Sequence, residues 1–106
     1  MQYRDIVYEA AGGVARVTIN RPDVRNALRP RTYDELTDAM AQSANDQEVG
    51  VVVLSGAGEK AFSPGNDIAE FASERSNKAQ AIEYGAVMHR TAEALAACRH
   101  PLVAQI

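Results

Sequence analysis

The chain opens on alternating positions. Ile6, Tyr8 and Ala10 alternate with Val7 and Glu9, Gly12-Gly13 supplies a turn, and Val14, Val17 and Ile19 continue in extended style. β-Branched residues flanking a Gly-Gly pair predict a two-stranded hairpin. Asn20-Arg21-Pro22-Asp23 ends the alternation, because the residue before a proline avoids the helical region. Over residues 30–46 the apolar positions change to helical spacing, with Tyr33, Leu36, Met40 and Ala44 on one expected buried stripe and Asp34, Asp38 and Gln42 off it. Val49-Gly50-Val51-Val52-Val53-Leu54 is a near-continuous apolar run, the pattern of a strand covered on both faces in an α/β sheet. Residues 55–66 read as a loop, Asp67 to Phe71 as one short helical turn, and residues 72–79 as a polar, solvated stretch. A second helix is expected from about residue 79 to residue 98, with Tyr84, Met88, Ala92 and Leu95 buried and Pro101 as its stop. Leu102-Val103-Ala104-Gln105-Ile106 begins another strand.

These elements make one small α/β unit with no internal repeat and no linker. The sequence breaks off inside an apolar strand without a polar cap, and an open apolar edge invites aggregation. The expectation is therefore that residues 1–106 are the N-terminal part of a longer domain.

Composition narrows the function classes. At 46% hydrophobic and 24% charged residues, the chain has the make-up of a folded globular protein and not of a disordered or low-complexity one. Lys and Arg total 11 against 14 Asp and Glu, so no general basic field exists to hold nucleic acid or an anionic membrane. The apolar runs are far shorter than the roughly 20 residues of a membrane span, and the charged N-terminus lacks the apolar core of a signal peptide. A single cysteine, Cys98, fits a reducing compartment. The expected location is cytoplasmic.

Two segments carry candidate chemistry. In Ala61-Phe62-Ser63-Pro64-Gly65-Asn66-Asp67-Ile68, Pro64-Gly65 suits the centre of a type II turn, and a helical turn entered at Asn66 or Asp67 would leave its first amides unpaired. Such amides can hold an oxygen that gains negative charge; an ordinary capped turn is the plain alternative. In Arg21-Pro22-Asp23-Val24-Arg25-Asn26-Ala27-Leu28, two arginines beside a proline-broken loop could meet phosphates or simply be solvated.

Taken in order, Thr18-Ile19-Asn20-Arg21-Pro22, Asn26-Ala27-Leu28, a helix, Val51-Val52-Val53-Leu54-Ser55-Gly56, Ala61 through Ile68, and His100-Pro101-Leu102-Val103-Ala104 resemble the crotonase (enoyl-CoA hydratase/isomerase) family over essentially the whole chain. The resemblance implies a crotonase-like (ClpP/crotonase) α/β fold, a superhelical core of ββα units, here incomplete. It also implies acyl-CoA thioester substrates, a trimer or dimer of trimers, and no separate cofactor, coenzyme A being part of the substrate. Matched position by position, Asn66 takes the place of the catalytic residue whose backbone N–H is half of an oxyanion hole, with Gly65 allowing close approach and Asp67 and Ile68 lining the acyl-CoA channel. Arg25, Asn26, Ala27 and Leu28 correspond to the loop along the CoA nucleotide and pantetheine, with Arg25 as the phosphate contact. Two positions depart from the family pattern: Pro64 and Asn66 stand where alanine is common. Neither change removes the backbone donor at position 66, although the Asn66 side chain alters the pocket's polarity. In hydratases of this family the proton-moving glutamates and the second oxyanion amide come from a segment after the His100-Pro101-Leu102-Val103-Ala104 strand, and a glycine-rich continuation is expected after Ile106. Glu59, Glu70 and Glu74 do not match those positions. The leading expectation is a hydratase or isomerase; the alternative is a non-catalytic acyl-CoA-binding or oligomerisation fragment.

Other readings are weaker. Gly56-Ala57-Gly58-Glu59-Lys60-Ala61 mimics a dinucleotide-binding glycine motif, but that motif needs a helix at the glycines and Phe62-Ser63-Pro64-Gly65 would break one. His89, His100 and Cys98 lack the spacing of a metal site, so none is expected. They read as surface or packing residues.

Overall fold

The computed structural model describes residues 1–58, 62, 63, 65, 67 and 77–106. Strands β1 (Ile6–Ala11) and β2 (Val14–Ile19) form the expected antiparallel hairpin. Its two-residue connection puts Gly12 at φ +60° and Gly13 at φ +81°, the left-handed pair that matches strand twist in a tight hairpin. Helix α1 (Pro30–Ala44) crosses to β3 (Val51–Gly56), which lies parallel to β2. Helix α2 (Lys78–Ala96) precedes β4 (Leu102–Gln105), parallel to β3. The sheet order is β1-β2-β3-β4.

Register explains the core. Ile6 pairs with Ile19, Tyr8 with Val17, Ala15 with Val52 and Val17 with Leu54, so one face of the sheet is a continuous apolar row. Leu36, Ala39 and Met40 of α1 close on that face. Burying such side chains, at about 25 cal/mol per Å² of apolar surface, is the main force holding the layers together.

The helices rotate relative to their expected stripes. In α1 the buried positions are Thr32, Glu35, Leu36, Ala39, Met40 and Ser43, while Tyr33 and Ala44 are half-buried. Tyr33 instead meets Tyr84 of α2 edge-on, with ring centroids 6.5 Å apart. In α2 the buried positions are Tyr84, Val87 and Thr91; Met88 and Leu95 are half-buried and Ala92 is exposed. The cause is the pairing of the helices. The Thr91 hydroxyl lies 2.8 Å from the Thr37 hydroxyl and donates to the Tyr33 carbonyl, which turns α2 toward its Thr91 edge.

Several boundaries also differ. The Asn77 side chain accepts the Gln80 N–H at 2.8 Å, so Asn77 and Lys78 open α2 and are not part of a solvated loop. Helix α2 ends at Ala96, before Pro101 can act, and the Pro101 carbonyl accepts the Val52 N–H as β4 begins. In β3 only Val52 is fully buried. Val53 sits in the row of Arg16 and Val103, a face that no described helix covers, so the expected two-sided burial is not reached among the described residues. Pro64, the helical turn over residues 68–71, and Glu59, Glu70 and Glu74 lie outside the described residues.

A buried polar knot ties the N-terminus to α1. The Glu35 carboxylate, in a residue 1% exposed, accepts the backbone N–H groups of Arg4, Asp5 and Ile6 at 2.8–3.2 Å and the Arg31 guanidinium at 2.7 Å. Asp5 takes a forked pair of bonds from Arg29 and one from the Thr32 hydroxyl. Burial pushes the Asp5 carboxyl up, but those bonds and the Arg29 charge outweigh it and hold the group below its ordinary 3.8.

Candidate functional site

The site begins where β2 ends. Pro22–Val24 form a short 3-10 turn, followed by Arg25 at φ 55° and Asn26 at φ 63°. Two successive left-handed residues without glycine are unusual, and asparagine is among the side chains that best tolerate the conformation. Asn26 repays the strain with its bonds. Its carboxamide oxygen accepts the Arg21 N–H at 2.9 Å and its nitrogen donates to the Ala57 carbonyl at 2.9 Å, while its own N–H reaches the Arg21 carbonyl at 2.7 Å. The loop is thus fastened to the exit of β3.

Asn26 and Ala27 are buried, so they shape the loop from within. Arg25 is exposed at its apex. Arg21 is neither solvated nor open to a phosphate. Its guanidinium donates to the Ala27 carbonyl at 2.6 Å and pairs with the Asp67 carboxylate at 3.2 Å, both side chains being 14% exposed. A cleft of about 280 Å³ on the other side of this loop is lined by Arg4, Asn20, Arg21, Asp23 and Arg29 among others. Its two inner guanidiniums are already engaged, Arg21 as described and Arg29 by Asp5.

The second segment meets the first at Leu28. The Leu28 N–H donates to the Gly65 carbonyl at 2.7 Å, and the Asp67 N–H donates to the Leu28 carbonyl at 2.6 Å. Both backbone groups of Leu28 are thus bonded to the second segment, one at Gly65 and one at Asp67. Gly65 lies at φ +104°, where a side chain is strained whatever the space, and its N–H donates to the Ser63 hydroxyl at 3.2 Å. Of the residues expected to form the site, the structure brings together Leu28, Gly65 and Asp67. It sets Asn26 and Ala27 behind them and Arg25 at the rim. Asn66 and Ile68 lie outside the described residues. The sequence reading missed the Arg21–Asp67 pair; the only signal was an arginine and an aspartate each beside a turn, 46 positions apart.

Among the described residues the dinucleotide alternative finds no support: Gly56 ends β3, and Ala57 and Gly58 are not helical. Among the described residues no group of three His, Cys, Asp or Glu could hold a metal ion, and no helix is long and apolar enough to cross a membrane.

The arrangement of strands and helices that carries these loops is found in known proteins. The family model for enoyl-CoA hydratase/isomerase matches residues 9–106. This chain belongs to that family. An enoyl-CoA hydratase/carnithine racemase from Magnetospirillum magneticum superposes with a TM-score of 0.91 at 40% identity, over 97% of this chain and 39% of the other. An enoyl-CoA hydratase from Mycobacterium avium subsp. paratuberculosis K-10 gives 0.79 at 35% identity, over 97% and 36%. An enoyl-CoA hydratase from Bacillus anthracis gives 0.85 at 29% identity, over 95% and 39%. The fold is that of the crotonase family, and the chain spans about two fifths of the length of these structures.

Proposed function

We propose that this chain supplies one half of the oxyanion hole, and the adjoining part of the acyl-CoA site, of an enoyl-CoA hydratase or isomerase. The observation that carries the reading is the Gly65 carbonyl, held on the Leu28 N–H at 2.7 Å. Gly65 and Asp67, the described residues on either side of the proposed Asn66 donor, are both bonded to Leu28, and that supports the reading. A thioester enolate concentrates negative charge on one oxygen, and an amide fixed in advance at that oxygen stabilises it without reorganising. Loss of one such donor costs about 10²–10³ in rate.

The remaining roles are those that membership of the family suggests. Arg25, exposed on its strained apex, meets a phosphate of coenzyme A, and the Asn26-Ala27-Leu28 backbone packs along the pantetheine. Asp67 and Ile68 border the acyl channel, with the Asp67 carboxylate turned to Arg21. Coenzyme A is part of the substrate, so no further cofactor is needed. The carboxylates that move water or a proton come from the segment after β4. The working enzyme is a cytoplasmic homo-oligomer, a trimer or dimer of trimers.

The test is direct. The protein is given crotonyl-CoA, loss of the conjugated thioester's absorbance is followed, and coenzyme A binding is measured by titration calorimetry. Hydration above background supports the catalytic reading. Heat of binding without turnover supports a non-catalytic acyl-CoA-binding fragment. No heat at millimolar ligand refutes both.

A further inference from the structure

The family resemblance sets Asn26 along coenzyme A, yet the residue is 1% exposed and its side chain is bonded within the protein. The carboxamide copies a piece of backbone. Its oxygen accepts the Arg21 N–H at 2.9 Å while the Asn26 N–H reaches the Arg21 carbonyl at 2.7 Å, so Arg21 and Asn26 are joined twice and the chain between them is a closed ring. Within the ring the Val24 N–H bonds to the Arg21 carbonyl and the Arg25 N–H to the Pro22 carbonyl, each at 3.1 Å. The carboxamide nitrogen ties the ring to the Ala57 carbonyl at the exit of β3, 2.9 Å away. Ala57 is itself held at 2.8 Å by the Ile19 carbonyl, which ends β2.

Arg25 rides on this ring. It precedes Asn26, shares its left-handed backbone at φ 55°, and is exposed. Arg21, Arg29 and Arg31 are paired with Asp67, Asp5 and Glu35, whereas among the described residues no acid is paired with Arg25. A left-handed residue with a side chain persists only where its surroundings over-determine it. Two in succession place that demand on one segment, and the Asn26 carboxamide meets it with a donor and an acceptor at once. Aspartate, of the same size, has no donor for the Ala57 carbonyl when ionised, and glycine has neither group. An arginine on a loop already shaped loses less freedom when it meets a phosphate than one on a loose loop.

We propose that Asn26 is a positioning residue whose carboxamide preforms the ring of residues 21–26, so that Arg25 is set for a phosphate of coenzyme A before the ligand arrives; the role rests on the acyl-CoA reading. The Asn26 side chain touches no reacting atom and no phosphate. Its loss therefore acts through Arg25, and only on ligands that carry the nucleotide's phosphates. Ala27 and Leu28 keep their own bonds to Arg21, Gly65 and Asp67, so the pantetheine side of the site stays in place.

The experiment compares the wild-type protein with Arg25→Gln, with Asn26→Gly and with the two changes together. Asn26→Gly keeps the left-handed backbone accessible and removes both side-chain bonds. Coenzyme A binding is followed by titration calorimetry, and KM and kcat are measured with crotonyl-CoA and with S-crotonyl pantetheine, which lacks the phosphates. We expect Arg25→Gln to weaken coenzyme A about tenfold, Asn26→Gly to weaken it about five- to tenfold, and the double variant to match Arg25→Gln within about twofold. KM for crotonyl-CoA rises with kcat within about twofold, and kcat/KM for the pantetheine thioester stays within about twofold of wild type. A further measurement needs no variant: in the ligand-free wild-type protein the Arg21 and Asn26 amides are already protected from hydrogen exchange, and coenzyme A changes their rates less than about twofold. Additive losses of affinity, or an equal loss for the pantetheine thioester, overturn the positioning role. So do amides that become protected only when coenzyme A binds. A wild-type protein that gives no heat with millimolar coenzyme A overturns the acyl-CoA reading and the proposal with it, and protected Arg21 and Asn26 amides in that protein mark the failure as one of function and not of the ring.

Discussion

Glu35 offers the sharpest test of how this chain is held together. Its buried carboxylate is the acceptor for three consecutive backbone donors at the start of β1, with Arg4 and Asp5 at 3.0 and 2.8 Å and Ile6 at 3.2 Å. Glu35→Ala removes the acceptor and leaves the donors behind. The Arg4 amide can turn to water, since Arg4 is exposed, whereas Asp5 and Ile6 are buried. Each orphaned buried donor costs about 1–3 kcal/mol, so the two together cost about 2–6 kcal/mol. The gain from alanine's helix propensity is only a few tenths of a kcal/mol. Small domains are stable by about 5–15 kcal/mol, so the loss is a large fraction of the total. Glu35→Gln keeps one oxygen lone-pair set for the amides and is expected to retain more than half of the stability lost by alanine. Arg31→Ala tests the charge separately: it leaves the three amides their acceptor and removes the ion pair of the buried carboxylate. Urea denaturation gives the midpoint and slope for all three, with an unchanged slope showing that the folded state is intact. A Glu35→Ala loss below about 0.5 kcal/mol would refute the reasoning. So would a Gln variant as damaged as the Ala one, since the charge, and not the acceptor, would then be what counts.

Three further outcomes are expected. Asp5 has a folded-state pKa held below 3.8, so its contribution is present above that pH and is lost as pH falls through the folded-state value; Asp5→Asn should flatten this part of the acid-unfolding curve, and an unaltered curve would contradict it. Asn26→Gly relieves the left-handed backbone but leaves the Arg21 amide and the Ala57 carbonyl without their partner, for a net loss of about 1–3 kcal/mol in thermal or chemical denaturation; a Gly variant more stable than Asn would show that strain dominates. Gly65→Ala meets no atom of the described residues within 4 Å, so the effect argued from them is backbone strain at φ +104°; crotonyl-CoA turnover should fall about tenfold or more with stability lowered by about 1–2 kcal/mol, and full turnover would refute the oxyanion role.

The sequence by itself determined the elements and the family. The Gly12-Gly13 hairpin, the helix from Pro30 and the Val51–Gly56 strand are local events, set by turn chemistry and side-chain period within a few residues, and the ordered motifs around them identified the fold. Tertiary structure decided which helix faces are buried. Tyr33 and Met88 look like core by spacing, yet Thr91 is buried against the Thr37 hydroxyl and the Tyr33 carbonyl, and Glu35 and Thr32 against the Arg4–Ile6 segment. A periodicity rule places charged and hydroxyl groups outside because it carries no knowledge of the backbone amides or second hydroxyl waiting for them across the fold. The Arg21–Asp67 pair was likewise invisible, each residue being one more charge near a turn. Hydrogen bonds between distant segments form only once apolar burial has brought those segments together, and one-dimensional spacing holds no record of that approach.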